Sequence, residues 1–446
     1  MTVLAAPPPP VAARDLVADD LERQLAHWLA AAAAFADAEA FASVEAWAAV
    51  EARVGSPLRR QLGDTVDRLL AQGRAARATV ATARRDPARR AEAHLAVQRF
   101  RRSYRQVETT LEFFGNAVNS RTSPPLRATL NHLDRLAGDS IKPSLDAAGK
   151  PVPQVLCYVD QGLGASILRA GVRLWEPGTV NPVAAIKVVR HNLYRPTSLF
   201  HETGHQVAHL TGWVPSVRSS LARALEGDPQ LATMWTPWAS EIAADVFAWL
   251  HTGYASISAL YDVVGDSRTI LRWPLGDPHP IGWLRTMLGC AFCRHAWGSG
   301  PWDSLQESVL ATHPARRAGP VVEELVRRSM TAMPRIAAAC IGAPVPGLAG
   351  RPMTAVHDPA RVSPAALAQL ERTAAAALWT SPHWRTTEGI RIVALAGLRE
   401  AEDPAAASQW IDRARAWLSG SSPPPPIPAT IRVPTSVPPI AQRSPS

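Results

Sequence analysis

The segment SLFHETGHQVAHLTGW, residues 198–213, contains the pattern His-Glu-x-x-His at His201, Glu202 and His205. Residues four apart lie on one face of a helix with Cβ atoms about 5–6 Å apart, so the two histidines can direct one imidazole each at a common metal ion. Glu202 directly follows the first histidine, which places its carboxylate beside the metal, where it can accept a proton from water. The alternative is a chance arrangement on one helix, since the chain contains 13 histidines.

The surroundings of this pattern favour the metal site. Thr197 or Ser198 can cap a helix, and Gly212 can end it. A short apolar run, AAIKVV at residues 184–189, precedes the helix and is predicted to be a strand. The opposite helix face carries four residues that we expect to pack on the sheet: Phe200, Gly204, Val207 and Thr211.

A catalytic zinc ion needs a third protein ligand and an open fourth position. His209 lies one further helical turn along, about 6 Å away, so we expect a polar residue near the helix end and not a ligand. A second helix is predicted from Thr236-Pro237 to about Gly253, and in it Glu241 and Asp245 are again four residues apart. If Glu241 reaches the metal, Asp245 can accept the N–H of a liganding histidine and fix its tautomer. The alternative is that both acids face solvent, although the neighbouring residues are apolar and buried carboxylates need partners.

HETGH followed by EIAAD resembles the gluzincin metallopeptidases, and the form Glu-x-x-Ala-Asp is most similar to their prenyl-protease-like group. That group often carries a downstream His-Pro with an arginine six residues after the histidine, which His279, Pro280 and Arg285 match. The resemblance covers roughly residues 180–290. It implies zinc-dependent hydrolysis of peptide bonds, with three Zn²⁺ ligands and one general base: His201, His205, Glu241 and Glu202. Membrane members of the group have transmembrane spans, which this chain lacks, so a prenylated membrane substrate is not expected.

The resemblance also suggests roles for His279 and Arg285. Negative charge builds on the carbonyl oxygen when water attacks a peptide bond, and a second donor beside the metal is expected to stabilise it. His279 lies between two prolines that restrict the backbone and can present its imidazole into a cleft. Arg285, on the following helix, can hold that histidine or the substrate. A turn histidine and a surface arginine are the alternative.

Outside this region the sequence predicts a mainly helical α+β protein, with a small sheet beside the active-site helix in a zincin-like core and helical regions on both sides. QVLCYV, residues 154–159, is the second predicted strand, and apolar residues recur at helical spacing before it. The predicted divisions are a Pro-rich flexible N-terminus at 1–15, a helical domain at 16–145, the metallopeptidase core at 146–345, a C-terminal helical region at 346–420 and a disordered Pro/Ser-rich tail at 421–446.

The amino-acid composition argues against several classes of protein. The chain has 446 residues, 47% of them apolar, and a net charge of +9. Almost all of its positive charge comes from arginine. No recognition motif accompanies the arginines, so nucleic-acid binding is not expected. The N-terminus lacks a secretory signal, and Asp37, Glu39 and Glu45 interrupt the most apolar early stretch. Four cysteines suggest no disulfide framework, and Cys290 and Cys293 are expected to be core residues. We therefore expect a soluble, cytoplasmic protein.

The sequence thus predicts a zinc-dependent endopeptidase acting on a peptide or protein. The main alternative is an interaction protein in which a zincin core holds metal without turnover, while the helical regions and Pro-rich tails bind partners. A partner protein can bind through the N-terminal helical domain in either case. The presence of Glu202 argues against the alternative, because a structural metal site has no need of a general base.

Overall fold

The computed structural model describes residues 15–162, 164–170, 181, 183–273 and 277–421. The Pro-rich ends predicted at 1–15 and 421–446 lie outside these residues, apart from Asp15 and Ser421. Five helices form the N-terminal third: α1 Leu16–Ala34, α2 Val44–Val50, α3 Ser56–Arg85, α4 Arg90–Asn119 and α5 Pro124–Ala147.

The long N-terminal helices pack on one another through apolar residues at helical spacing. Asp15 caps α1 by accepting a hydrogen bond from the Ala18 amide at 3.1 Å, which satisfies one of the free donors of the first turn. Asp86 and Pro87 separate α3 from α4, since proline cannot continue a helix that needs its N–H. α1 lies against both of the helices joined by this turn.

Three short strands follow: β1 Gln154–Val159, β2 Ser166–Leu168 and β3 Val183–Val188. The sheet order is β1-β3-β2, with β1 parallel and β2 antiparallel to the central β3. The predicted strands at 154–159 and 184–189 are confirmed, the second shifted by one residue. β2 was not predicted from the sequence.

Both faces of the sheet are buried, each in a different core. Leu156, Val183 and Ala185 belong to the core built by α1 to α4. Their neighbours in the strands, such as Cys157 and Ile186, belong to the core that contains the remaining helices. Because successive side chains of a strand point to opposite faces, the sheet forms a common wall between two helical layers.

The outer edge of β1 is occupied by a buried ion pair. Arg121, which is fully buried, donates to the carbonyl oxygen of Cys157 at 2.7 Å and to Asp134 Oδ2 at 2.6 Å. The other oxygen of Asp134 accepts the Cys157 amide at 2.6 Å. The exposed backbone groups of an edge strand can pair with another strand, and here two side chains occupy them.

The helices after the sheet form the larger core. The first group is α6 Thr197–Thr211, α7 Trp213–Ala224, α8 Pro229–Trp235, α9 Ala239–Thr252, α10 Tyr254–Val264, α11 Gly282–Trp297, α12 Pro301–Thr312 and α13 Pro320–Ile341. The second group is α14 Pro364–Ala374, α15 Ala377–Thr380, α16 Pro382–Thr387, α17 Gly389–Glu402 and α18 Ala407–Ser419. None of the described helices combines the length and apolar character that a bilayer crossing requires.

The predicted α+β class, mainly helical with a small sheet beside the helix of the His-Glu-x-x-His pattern, is confirmed. The domain boundaries stay a prediction. Buried residues of α5 belong to the same core as those of α6, although the sequence grouped α5 with the N-terminal helices. Cys290 and Cys293 are buried core residues, as expected.

Candidate metal centre

α6 carries the first two histidines of the site. The helix begins at Thr197, with Pro196 at the cap and no side-chain cap, so the expected capping by Thr197 or Ser198 was wrong. It ends at Gly212 as predicted, where a φ of 70° suits a residue without Cβ. His201 and His205 lie one turn apart, with ring centroids separated by 4.8 Å.

Close packing of α6 on α9 brings the third residue to the histidines. A Cβ atom on Gly204 would lie 2.9 Å from Ala244 Cα and 2.9 Å from Phe247 Cβ, closer than real Cβ contacts allow. The expectation that Gly204 packs on the sheet was therefore wrong, since this glycine faces α9. Two small residues, Gly204 and Ala244, let the helix backbones approach and set Glu241 against the histidines.

The three predicted ligands converge. His201 Nε2 lies 3.4 Å from Glu241 Oε2, and His205 Nε2 lies 3.3 Å from Glu241 Oε1. One ligand atom from each residue lies within 4.8 Å of the others, and this is the one such group of three found in the described part of the chain. His209 is exposed and not part of the group. Glu241 Oε2 is buried without a hydrogen-bond partner among the described residues, a costly arrangement that a bound cation would relieve.

Asp245 and Arg285 support the ring of His201. Asp245 Oδ1 lies 2.9 Å from His201 Nδ1. A hydrogen bond from Nδ1–H to this carboxylate leaves the Nε2 lone pair directed toward Glu241. Arg285 binds both oxygens of Asp245, through Nε at 2.6 Å and Nη2 at 2.7 Å. The arginine is only 9% exposed, so it is not the surface residue of the alternative interpretation.

The N–H donors of Arg285 also point at the candidate metal ligands. Its Nη2 atom also lies 3.3 Å from both ring nitrogens of His201 and 3.6 Å from Glu241 Oε2. Arg285 therefore contacts both Asp245, which supports His201, and the candidate ligands His201 and Glu241. Its contact with the transition state stays a prediction.

Glu202 lies on the same helix and lines the same cavity as His201 and Glu241. Its side chain is buried, at 6% residual exposure, and burial raises the pKa of this carboxyl above its ordinary value. No hydrogen bond or ion pair joins it to another described residue. A carboxylate available inside a cavity beside histidine nitrogens is suited to accept a proton from a water molecule held there.

His279 lies at the mouth of the site, before α11. Its side chain is 57% exposed, and its Nε2 lies 3.6 Å from Glu241 Oε2. Asp277 Oδ1 lies 2.7 Å from His279 Nδ1 and accepts the backbone N–H of His279 at 2.9 Å. This orientation directs the Nε2 atom at the cluster. Asp277 was not predicted to be a site residue, although its position two residues before a histidine in a proline-bounded turn is a signal that could have indicated this role.

The charges of the cluster favour a cation. Four carboxylates line the cavity with two guanidinium groups, which leaves two formal negative charges: Glu202, Glu241, Asp245 and Asp277 against Arg272 and Arg285. Although burial opposes protonation, the carboxylates of Asp245 and Glu241 beside the ring raise the pKa of His201 to about 10. The same field attracts a divalent ion, which binds imidazole in its neutral form and so competes with the proton.

The donor set fits a metal of the zinc type. Two imidazole nitrogens and one carboxylate, with the other ring nitrogen of one histidine bound to a second carboxylate, form a three-ligand set that catalytic zinc sites use. Ser240 Oγ, at 3.4 Å from His205 Nδ1, is placed to orient the second ring. The described residues therefore form a group that could hold a metal ion.

No protein-family model, curated protein or solved structure matches this chain. We therefore infer its function from the residues of the site.

Proposed function

We propose that this chain is a zinc-dependent endopeptidase of the gluzincin type. The observation that carries the proposal is the position of Glu202, a buried carboxylate that lines the same cavity as His201 and Glu241, two of the three residues that converge with His205. A site built only to hold a metal has no use for an additional buried acid without a partner, whereas hydrolysis of an amide needs a base at that place.

His201, His205 and Glu241 would hold the zinc ion, with Asp245 and Arg285 fixing the first ring. When bound, zinc supplies a Lewis acid that polarises a carbonyl oxygen and makes a nearby water more acidic. The remaining chemistry belongs to side chains of the protein.

Glu202 is assigned the proton transfers. Its carboxylate takes a proton from the water that attacks the peptide carbonyl carbon, and the same carboxyl can then deliver that proton to the departing amine. Hydrolysis is thereby balanced, since the water oxygen forms the new carboxylic acid and its protons end on the products. His279 would act here with protons on both ring nitrogens: Asp277 accepts the Nδ1–H, and the Nε2–H is donated to the carbonyl oxygen as this atom gains negative charge.

The sheet offers a way to bind an extended peptide. Arg121 and Asp134 already occupy backbone groups on the β1 edge. β2 lies at the other edge of the sheet, and Gly164 and Ala165, immediately before it, line the cavity. A substrate added as a strand beside β2 would run past the metal ligands, with main-chain hydrogen bonds that do not depend on sequence.

The proposal is tested by metal analysis and by a peptide-library cleavage assay on purified wild type and on Glu202→Gln. We expect one zinc per chain in both proteins. The glutamine variant should lose about 10²–10⁴ in turnover, because the amide keeps the shape of the side chain but cannot accept a proton. Glu226→Gln, the same change at an exposed position, serves as the matched control. Gln206 on the helix of Glu202 is not used for a control, because its amide is buried and bonded to Ala170.

Three outcomes are decisive. Zinc with cleavage that depends on Glu202 supports the proposal. Zinc without cleavage by wild type favours the interaction protein whose helical regions bind partners. Equal turnover of wild type and Glu202→Gln would place the base elsewhere and remove the observation on which the proposal rests.

A further inference from the structure

Arg272 is an arginine of the metal cavity that has no carboxylate partner. It is one of two arginines that line this cavity of about 490 Å³, which is also lined by the candidate ligands His201 and Glu241. The other arginine, Arg285, binds both oxygens of Asp245. Arg272 is exposed, and no hydrogen bond or ion pair joins its guanidinium to another residue in the described part of the chain. Its positive charge is therefore available to a ligand that enters the cavity.

The backbone on both sides of Arg272 is held in place. The carbonyl oxygen of Ile270 accepts the amide of Trp283 at 2.9 Å, which ties the segment before Arg272 to the first turn of α11. Its two neighbours in the chain, Leu271 and Trp273, are partly buried and pack against the larger core. Because its backbone is held, the arginine loses less freedom when it binds a ligand than it would on a mobile loop.

The charges of the cavity are compatible with an anionic group. Its four carboxylates and two guanidinium groups leave two formal negative charges, and a bound divalent cation would bring that sum to zero before any histidine is counted. The charge of the cation would be directed at its own ligands, and the charge of Arg285 is directed at Asp245. An entering anion therefore finds an uncommitted positive charge at Arg272.

A carboxylate is the group that a guanidinium matches best. Arginine stays charged at physiological pH, and its planar fork can donate two parallel hydrogen bonds to the two oxygens of one carboxylate. Such charged hydrogen bonds are about twice as strong as neutral ones, and they strengthen where a bound peptide excludes water. An extended peptide advances about 3.3 Å per residue, so side chains within a few residues of the scissile bond remain beside a cavity of this size.

We infer that the peptidase selects substrates with an acidic side chain, Asp or Glu, within a few residues of the scissile bond, and that Arg272 binds its carboxylate. This inference rests on the proposed function and adds the class of substrate. The free end of a peptide also carries a carboxylate, but an endopeptidase cuts within a chain, so a side chain is the expected source. Hydrogen bonds to charged groups strengthen binding by about 10–100-fold.

Binding can be measured without turnover. The zinc-loaded full chain with Glu202→Gln is titrated calorimetrically with acetylated and amidated peptides of uncharged sequence that carry Glu or Gln at one position, each position being tested in turn. We expect the Glu peptide to bind at least tenfold more tightly than the Gln peptide at one position or more. Equal affinity of the two peptides at every position, or no binding of either, would overturn the inference.

Changes at Arg272 test whether this residue is the source of the preference. Arg272→Gln should reduce the difference between the Glu and Gln peptides to within about twofold. Arg272→Glu should reverse it, so that a Lys peptide binds more tightly than the Glu peptide. Arg268→Gln is the matched control, because Arg268 is exposed on the same segment and does not line the cavity, and it should keep the wild-type preference. A Glu preference that survives both Arg272 variants would contradict the inference.

The two sources of a carboxylate are separated by the end of the peptide. A Gln peptide with a free C-terminal carboxylate is compared with its amide in the same titration. Equal binding of these two peptides, together with tighter binding of the Glu peptide, supports the acidic side chain. A preference for the free end without a preference for Glu would overturn the side-chain assignment.

Cleavage by the wild type then separates this inference from the proposed function. The Glu peptide should be cut with a kcat/KM at least tenfold above that of the Gln peptide, and Arg272→Gln should cut both alike. Cleavage of both peptides at one rate by the wild type would contradict the inference and leave the proposed function standing. Tighter binding of Glu peptides that depends on Arg272, without cleavage of any peptide, would support the carboxylate site and contradict the proposed peptidase.

Discussion

Replacing Asp245 by Asn tests the support of the metal ligands, because the structure gives this carboxylate three donors. His201 Nδ1 and Arg285 Nη2 contact Oδ1 at 2.9 and 2.7 Å, and Arg285 Nε contacts Oδ2 at 2.6 Å. An asparagine has one oxygen acceptor in place of two, and its amide nitrogen is a donor. At least one of the three donors must then face another donor.

The orientation of the new amide determines the size of the effect. If its oxygen takes the place of Oδ1, the bond to His201 survives and Arg285 Nε loses its acceptor. If the amide is turned, His201 loses the group that fixes its tautomer. Side chains that hydrogen-bond to a metal ligand in this way change metal affinity by about 10–100-fold, equal to about 1.4–2.8 kcal/mol. We expect Asp245→Asn near the lower end of this range, because the first orientation keeps two of the three hydrogen bonds.

The affinity is measured by competition with a chromophoric zinc chelator at constant pH. Glu241→Ala removes a ligand and should weaken binding more than Asp245→Asn does. Asp277→Asn is a matched change at a carboxylate whose hydrogen bonds, within the described residues, go to His279, and it should stay within about twofold of wild type, below the range for residues that hold a ligand. If Asp245→Asn strips the metal while Glu241→Ala retains it, the two roles are exchanged, and wild-type affinity in Asp245→Asn would show that the His201 contact does not support the site.

Three further changes have defined outcomes. His279→Ala should keep zinc and fold but lower kcat by about 10²–10³, as the loss of one oxyanion donor does, and wild-type kcat would refute that role. Gly204→Ala should destabilise the protein by about 1–3 kcal/mol in urea unfolding, because its Cβ would lie 2.9 Å from Ala244 Cα, whereas Gly63→Ala, with nothing within 4 Å, should be stabilising by about 0.5–1 kcal/mol. Burial lowers the pKa of His251 to about 4, so stability should be full above pH 6.5 and fall as the pH drops toward 4, by up to about 3 kcal/mol from this group. His251→Phe should lose less stability than wild type between pH 7 and 5, and an equal loss would exclude His251 as a source.

The spacing of residues in the sequence was enough to predict which side chains form the candidate metal site. His201, His205, Glu241 and Asp245 are set in pairs by one turn of their own helices, so the sequence predicts which side chains share a face. The crossing of the two helices depends on the contact of Gly204 with Ala244, and helix periodicity alone does not predict it. The sequence pattern suggested the sheet as the neighbour of Gly204, and the structure shows α9 there.

Other features depend on contacts between distant segments. β2 has three residues and exists by pairing with β3, so no alternating pattern of useful length indicates it. The cavity is lined by residues of α6, α9, α10 and α11 that are distant in the sequence, and its apolar lining residues are of the same types as ordinary core residues. The support that Asp277 gives to His279 follows from turn geometry, which the prolines indicated without specifying a partner.

The common wall formed by the sheet has a consequence for how this chain can be divided. Leu156, Val183 and Ala185 are covered by the N-terminal helices, so a fragment starting at α5 would present an uncovered apolar surface to water. Such a surface promotes association of the fragments with one another. The half with the candidate metal site is therefore not an independent module that can be transferred or expressed alone, and a shortened version would need polar residues at these three positions of the sheet.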